Sequence, residues 1–278
     1  MNYVEAPNLF VKDQAGRSFV YRELGQTTGI PLVLFTHLSA TLDNWDPTVI
    51  DGLARNFHVI AFDGQGVGLS GGKTPKTIKE MALDGLAFID ALNLEYVSLL
   101  GLSMGGMVVQ EMILERPALV DRLILVGTGP KGGIGITEVG KITNRALAKS
   151  LVTFKDLKHY LFFSPSKNSQ QKASQYLARL ATRKRNKDKS IGLGSYRNQL
   201  KAIHQWGKDP KDPLEQISQP TLIVNGDEDK MVPTENSYDL AQRIPHSKLV
   251  IYEDAGHGSL FQYSDEFVAE VTEFLNRK

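Results

Sequence analysis

Short runs of β-branched and aliphatic residues recur along the chain, each bounded by turn residues: Phe19–Leu24, Leu32–Phe35, His58–Phe62, Val97–Leu100, Leu123–Val126, Thr221–Val224 and Leu249–Tyr252. Several are apolar at every position rather than at alternate ones, which is the pattern of strands covered on both faces in a mostly parallel sheet. Between them the apolar period lengthens to that of helices. Thr77-Ile78-Lys79-Glu80 has the form of a capping box and opens a helix running to about Leu92. Gly105–Arg116 is apolar around most of its circumference and stops at Pro117, so it predicts a helix buried against the sheet. Thr234–Ile244 ends at Pro245. The last helix, about Asp265–Asn276, places Phe267, Val271 and Leu275 on one stripe, with acids early and Arg277-Lys278 late, as the helix dipole favours. Strand–helix alternation of this kind implies right-handed crossovers and a doubly wound α/β sheet.

One stretch breaks the alternation. From about Lys131 to Leu214 no strand is evident, and helical pattern carries Phe154, Leu157 and the run Tyr160–Phe163. This predicts a helical cap, residues 131–214, inserted over the carboxyl edge of a core made of residues 1–130 and 215–278. Trp206 and Tyr160–Phe163 suit either the lining of an apolar pocket or packing between cap and sheet. The basic run Arg183–Lys189 reads as a solvated loop or helix end rather than an anion site.

The 278 residues are 41% hydrophobic and 23% charged, enough for a sizeable core without staples. A net charge of +1 gives no reason to expect nucleic acid or an anionic membrane as partner. The absence of cysteine excludes a thiol nucleophile and a disulfide framework. No apolar stretch approaches the roughly 18 residues of a membrane span, and Met1–Pro7 lacks the basic start of a signal peptide. The expectation is a cytoplasmic protein, monomer or homodimer, that acts on a small molecule.

Gly101-Leu102-Ser103-Met104-Gly105 is a G-x-S-x-G pentapeptide with a strand leading in and a helix leading out. Such a turn must be sharp, holding Ser103 in a strained conformation with its hydroxyl presented above the sheet. A neutral hydroxyl needs an adjacent base to become a nucleophile. Of the six histidines, His257 alone sits between glycines on a loop following a strand, at the carboxyl edge where open α/β sheets bind ligands. His58 and His246 lie at strand entries, and His159 and His204 in the insertion. The base in turn needs a carboxylate to fix its tautomer. The loop after Thr221–Val224 offers three, Asp227, Glu228 and Asp229, whereas the loop after Leu123–Val126 offers none.

These segments together resemble the α/β-hydrolase superfamily, most closely its esterase, cofactor-free perhydrolase and carbon–carbon hydrolase branch. The resemblance is carried by Thr36-His37-Leu38-Ser39 with Trp45, Asp63-Gly64-Gln65-Gly66-Val67-Gly68-Leu69-Ser70, Gly101–Gly106, Gly226–Asp229 with Val232-Pro233, and Gly256-His257. It implies an eight-stranded sheet, Asp229 as the acid, and an oxyanion hole formed by the backbone N–H groups of Ser39 and Met104. Two positions depart from the family pattern: Leu38 replaces the usual glycine after His37, and Gln65 replaces a frequent arginine. The resemblance implies hydrolysis of a small ester or lactone by a serine nucleophile, with no metal or organic cofactor. A carbon–carbon hydrolase or perhydrolase with the same three side chains, or a ligand receptor on this fold, stays open.

Overall fold

The computed structural model describes residues 1–277. Eight strands form one sheet: β1 (Leu9–Lys12), β2 (Ser18–Leu24), β3 (Leu32–Phe35), β4 (Val59–Phe62), β5 (Val97–Leu102), β6 (Val120–Val126), β7 (Thr221–Gly226) and β8 (Ser247–Tyr252). Their order across the sheet is β1-β2-β4-β3-β5-β6-β7-β8. β1 and β2 pair antiparallel and β2 pairs antiparallel with β4, while the other neighbours are parallel. Every residue of β3, β4, β5 and β7 is buried, as their unbroken apolar runs predict. β1 has no counterpart among the apolar runs. It is a four-residue edge strand whose side chains alternate between half-buried and exposed, too short and too polar in environment to stand out.

The helices are α1 (Pro47–Ala54), α2 (Ile78–Ala91), α3 (Met104–Glu115), α4 (Val139–Thr153), α5 (Lys158–Leu161), α6 (Lys167–Leu180), α7 (Leu193–Lys208), α8 (Glu235–Arg243), α9 (Ser259–Gln262) and α10 (Ser264–Asn276). α2 packs beside α3 and α1 beside α10, in layers that cover the sheet. The Thr77 hydroxyl accepts from the Glu80 N–H, and the Glu80 carboxylate accepts from the Thr77 N–H, closing the expected capping box. α1 was not foreseen from periodicity. It begins at Pro47 behind Asp46, whose carboxylate accepts from the Thr48 N–H, a proline-at-first-turn start with an aspartate cap. In α10 the buried stripe is Phe267, Val271 and Phe274, while Leu275 is half-buried. The spacing i, i+4, i+7 turns the aromatic ring inward in place of the leucine.

α4 to α7 all fall between β6 and β7, and they are tied to the rest of the chain by polar contacts. Arg179 of α6 makes a two-pronged pair with the fully buried Asp46 carboxylate, at 2.9 and 2.5 Å, and donates to the Phe261 carbonyl. The Tyr176 hydroxyl donates to the Asn44 carbonyl. Asp254, two residues beyond β8, accepts from the hydroxyls of Ser164 and Ser166, which hold its carboxyl below the ordinary range. The basic run does not behave as a solvated loop throughout. Arg183 is 5% exposed, and its guanidinium donates to the carbonyls of Tyr3, Val4, Ala6 and Asn186. Carbonyl oxygens converging on a planar fork can bury an arginine that composition alone assigns to solvent.

Candidate active site

β5, β6, β7 and β8 are parallel neighbours, so the loops leaving their carboxyl ends lie side by side at one rim of the sheet. Ser103 stands between β5 and α3 with φ +56° and ψ −118°, a conformation L-residues rarely adopt. Its N–H donates to the Val126 carbonyl at 2.8 Å, anchoring the turn to the next strand. The glycines around it follow from close packing. A Cβ on Gly105 would stand 2.1 Å from the Phe35 carbonyl oxygen, and one on Gly101 would stand 2.5 Å from that of Gly105. Backbone fills both places, so no side chain fits.

The loop after β8 brings the His257 Nε2 to 2.8 Å from the Ser103 Oγ. The loop after β7 brings the Asp229 Oδ2 to 2.7 Å from the His257 Nδ1. The other carboxylate oxygen of Asp229 accepts from the N–H groups of Met231 and Val232, which fix its plane. All three side chains are buried. Asp227 is exposed and turns away from the imidazole, accepting instead from the Ala255 N–H at 3.2 Å, so it closes the turn. The structure therefore brings Ser103, His257 and Asp229 into one hydrogen-bonded line and leaves the two other acids of that loop outside it. The remaining histidines lie elsewhere. His58 meets Glu23, the buried His159 meets Gln170, and His204 and His246 are exposed.

The two backbone groups expected to face a substrate oxygen differ. Met104 is the first residue of α3, and its N–H takes part in no backbone hydrogen bond among the described residues. The Ser39 N–H is engaged: it donates to the Gln199 Oε1 at 2.8 Å. Ser39 also has φ +62°. Leu38 is buried and lines the floor of the cavity. His37 is buried beside them, with Nδ1 2.9 Å from the Leu38 carbonyl and Nε2 without a partner among the described residues. Nδ1 must carry the proton there, and burial pushes the imidazole down to about 3, so it is neutral near pH 7. Gln65 is buried and donates to the Ser18 carbonyl at 3.1 Å.

Above the three side chains lies a cavity of about 430 Å³. Its floor is His37, Leu38, Ser39, Ser103, Met231 and His257, and much of its wall comes from α4, α5 and α7, including Leu147, Leu161, Leu193 and Tyr196. Of the aromatic run, Phe162 faces this cavity and packs against the rings of His37 and His257, at centroid distances of 4.9 and 5.8 Å. Tyr160 and Phe163 line a separate surface groove. Trp206 is packed in the core instead, its indole N–H donating to the Gly129 carbonyl and Lys131 lying over its face. Gln199 was not singled out from the sequence. The available signal was a polar residue on the otherwise apolar stripe of α7, three and four residues before Ala202 and Ile203 and seven before Trp206.

The profile of the alpha/beta hydrolase fold matches residues 30–262, which span both β5 and the loop bearing His257. The chain belongs to that family. Its relatives include RutD of Agrobacterium fabrum, named for carbamate hydrolysis, 27% identical over 250 residues that cover 88% of this chain and 92% of the relative. A poly(3-hydroxyalkanoate) depolymerase of Ectopseudomonas oleovorans is 30% identical over 259 residues, 89% of this chain and 85% of the depolymerase. Among solved structures, an alpha/beta hydrolase fold protein of Chitinophaga pinensis superposes with a TM-score of 0.95 at 35% identity, each chain covered in full. This α/β hydrolase therefore shares its whole architecture, inserted helices included, with a protein of known structure. No described helix is long and apolar enough to cross a membrane.

Proposed function

We propose that this α/β hydrolase cleaves a small carboxylic ester or lactone through an acyl-enzyme, with Ser103 as nucleophile, His257 as general base and Asp229 as the acid that orients it. The observation that carries the reading is the unbroken line Ser103 Oγ–His257 Nε2–Asp229 Oδ2, at 2.8 and 2.7 Å. Asp229 accepts from Nδ1–H, so the lone pair of Nε2 faces the serine hydroxyl. Nε2 takes the hydroxyl proton as Oγ bonds to the substrate carbonyl carbon, and the carbonyl oxygen becomes an oxyanion. The Met104 N–H at the start of α3 meets that charge, reinforced by the helix dipole. Collapse expels the alcohol oxygen, which receives the proton from Nε2. Water then gives a proton to the same nitrogen and its oxygen to the acyl carbon, releasing acid and free Ser103.

The helices of residues 131–214 act as a cap over a core of residues 1–130 and 215–278, setting which acyl and alcohol groups fit. The mostly apolar wall supports a substrate whose body is apolar around one polar carbonyl. Relatives named as a carbamate hydrolase and a poly(3-hydroxyalkanoate) depolymerase support a substrate of the carbonyl class here.

The test is covalent labelling by a fluorophosphonate, alongside turnover of p-nitrophenyl esters of increasing chain length. Labelling and turnover that both vanish in Ser103→Ala, with folding intact, are expected. A wild-type protein inert to the probe and to every ester would leave a receptor as the better account.

A further inference from the structure

The inserted helices touch the loop after β3 close to the candidate site. The family resemblance makes the Ser39 N–H the second donor, beside Met104, for a substrate oxyanion, and here it is satisfied by the side-chain carbonyl of Gln199 from α7. Gln199 is 3% exposed, so this is no surface contact that water readily replaces. It also stands on a boundary. Ser39 and Ser103 line the large cavity above His257, whereas Gln199 and Met104 line a second cavity of about 60 Å³, whose other walls are largely apolar and include Phe35, Phe62, Val67 and Val108. That volume is well above the roughly 10–15 Å³ that one water needs and suits a short acyl substituent.

We infer that Gln199 is a specificity-determining gate: its carboxamide fills the Ser39 half of the oxyanion hole and closes the small apolar cavity, and productive substrates displace it. The inference rests on the hydrolase reading above. One N–H makes one well-directed hydrogen bond, so Ser39 serves either Gln199 or a developing oxyanion. When the carboxamide swings out, the donor is freed and the partition opens in the same motion. The acyl group of the substrate then enters the small cavity, while the leaving group lies in the large one. Displacement is paid back by the stronger, charge-assisted bond to the oxyanion.

Two variants separate the two jobs. Gln199→Leu keeps the bulk and removes the acceptor, and Gln199→Ala removes both. Fluorophosphonate inactivation is expected to accelerate roughly threefold to tenfold in each, the factor that losing one competing hydrogen bond allows. Gln199→Ala alone is expected to shift the p-nitrophenyl ester preference toward longer acyl chains, because only it leaves the partition open. A rate that is unchanged, or that falls about a hundredfold or more in both variants with melting temperatures held, would overturn the gate. Such a fall is what losing an oxyanion donor brings, and it would mean Gln199 merely holds the loop. Hydrogen exchange of the Ser39 amide by NMR reads the contact without any catalysis. Lost protection in both variants shows that Gln199 occupies the donor, as the gate requires, and retained protection refutes the gate whether or not the protein turns over esters.

Discussion

The carbonyl of Phe162 accepts the N–H of Gly258 at 2.8 Å, so the inserted helices grip the backbone one residue beyond His257. The Phe162 ring completes the grip by packing against both His37 and His257. A Cβ at Gly258 would come within 2.8 Å of the Phe162 Cβ, which is why glycine follows the histidine. The inserted helices thus pack against the imidazole as well as lining the cavity.

Truncating that ring should therefore act on both stability and rate. Phe162→Ala is expected to cost about 3 kcal/mol by urea denaturation, the usual toll for a buried aromatic. The kcat should fall at temperatures where the variant is still folded, because the loop bearing His257 loses a packing partner. A destabilised variant with undiminished kcat would show that the imidazole is held by its hydrogen bonds alone.

The two aspartates of the loop after β7 give a sharper contrast. Asp229→Asn keeps the shape but presents an amide to Nδ1, favouring the wrong tautomer, and kcat should drop by about four orders of magnitude. Asp227→Asn keeps its turn, since an amide oxygen can still accept from Ala255, and should change kcat less than about twofold. Steady-state kinetics on one ester decides the matter, and a larger loss at residue 227 would reverse the assignment.

His37 makes stability depend on pH in a known direction. Burial lowers its imidazole from 6.5 to about 3, so between those values the folded protein binds fewer protons than the unfolded chain. Stability then rises with pH across the interval and is lost progressively as pH falls below 6.5. Asp63 works the other way, since burial beside the Asp188 carboxylate raises its carboxyl well above the usual range, and its contribution is lost as pH rises. Comparing the wild type with His37→Asn cancels the Asp63 share. Urea denaturation at pH 7, 5.5 and 4.5 should show a shallower acid loss in the variant, and parallel curves would contradict the assignment.

Gly105→Ala tests the turn itself. The added methyl would meet the Phe35 carbonyl at 2.1 Å, so α3 must move away from β3. A destabilisation of about 3 kcal/mol or failure to fold is expected, at the upper end of overpacking effects. A variant as stable as the wild type would mean that the turn is looser than its packing implies.

The core and the candidate nucleophile and base, Ser103 and His257, were legible because each is written locally, whereas the choice of Asp229 among the three acids of its loop came from the family resemblance. Apolar runs mark buried strands whatever surrounds them, and Ser103, Asp229 and His257 each sit in a short motif leaving a strand. What escaped notice depends on distant partners. β1 exists because β2 offers it an edge, and Phe274 rather than Leu275 faces inward because of where α10 lies. Arg183 is buried because carbonyls from residues 3, 4 and 6 meet it, over 170 residues away along the chain. Gln199 is separated from Ser39 by 160 residues and has no motif of its own. Pairings of that kind belong to tertiary geometry, which periodicity does not encode.

The fork of Arg183 on the first residues of the chain has a practical corollary. The N-terminal segment fastens the stretch after α6, so trimming Met1 to Ala6 would loosen the chain around Asn186 and also remove the buried Tyr3, whose hydroxyl donates to the Leu42 carbonyl. Such a shortened protein should lose discrimination between acyl chains, a behaviour easily mistaken for a defect in the reactive centre.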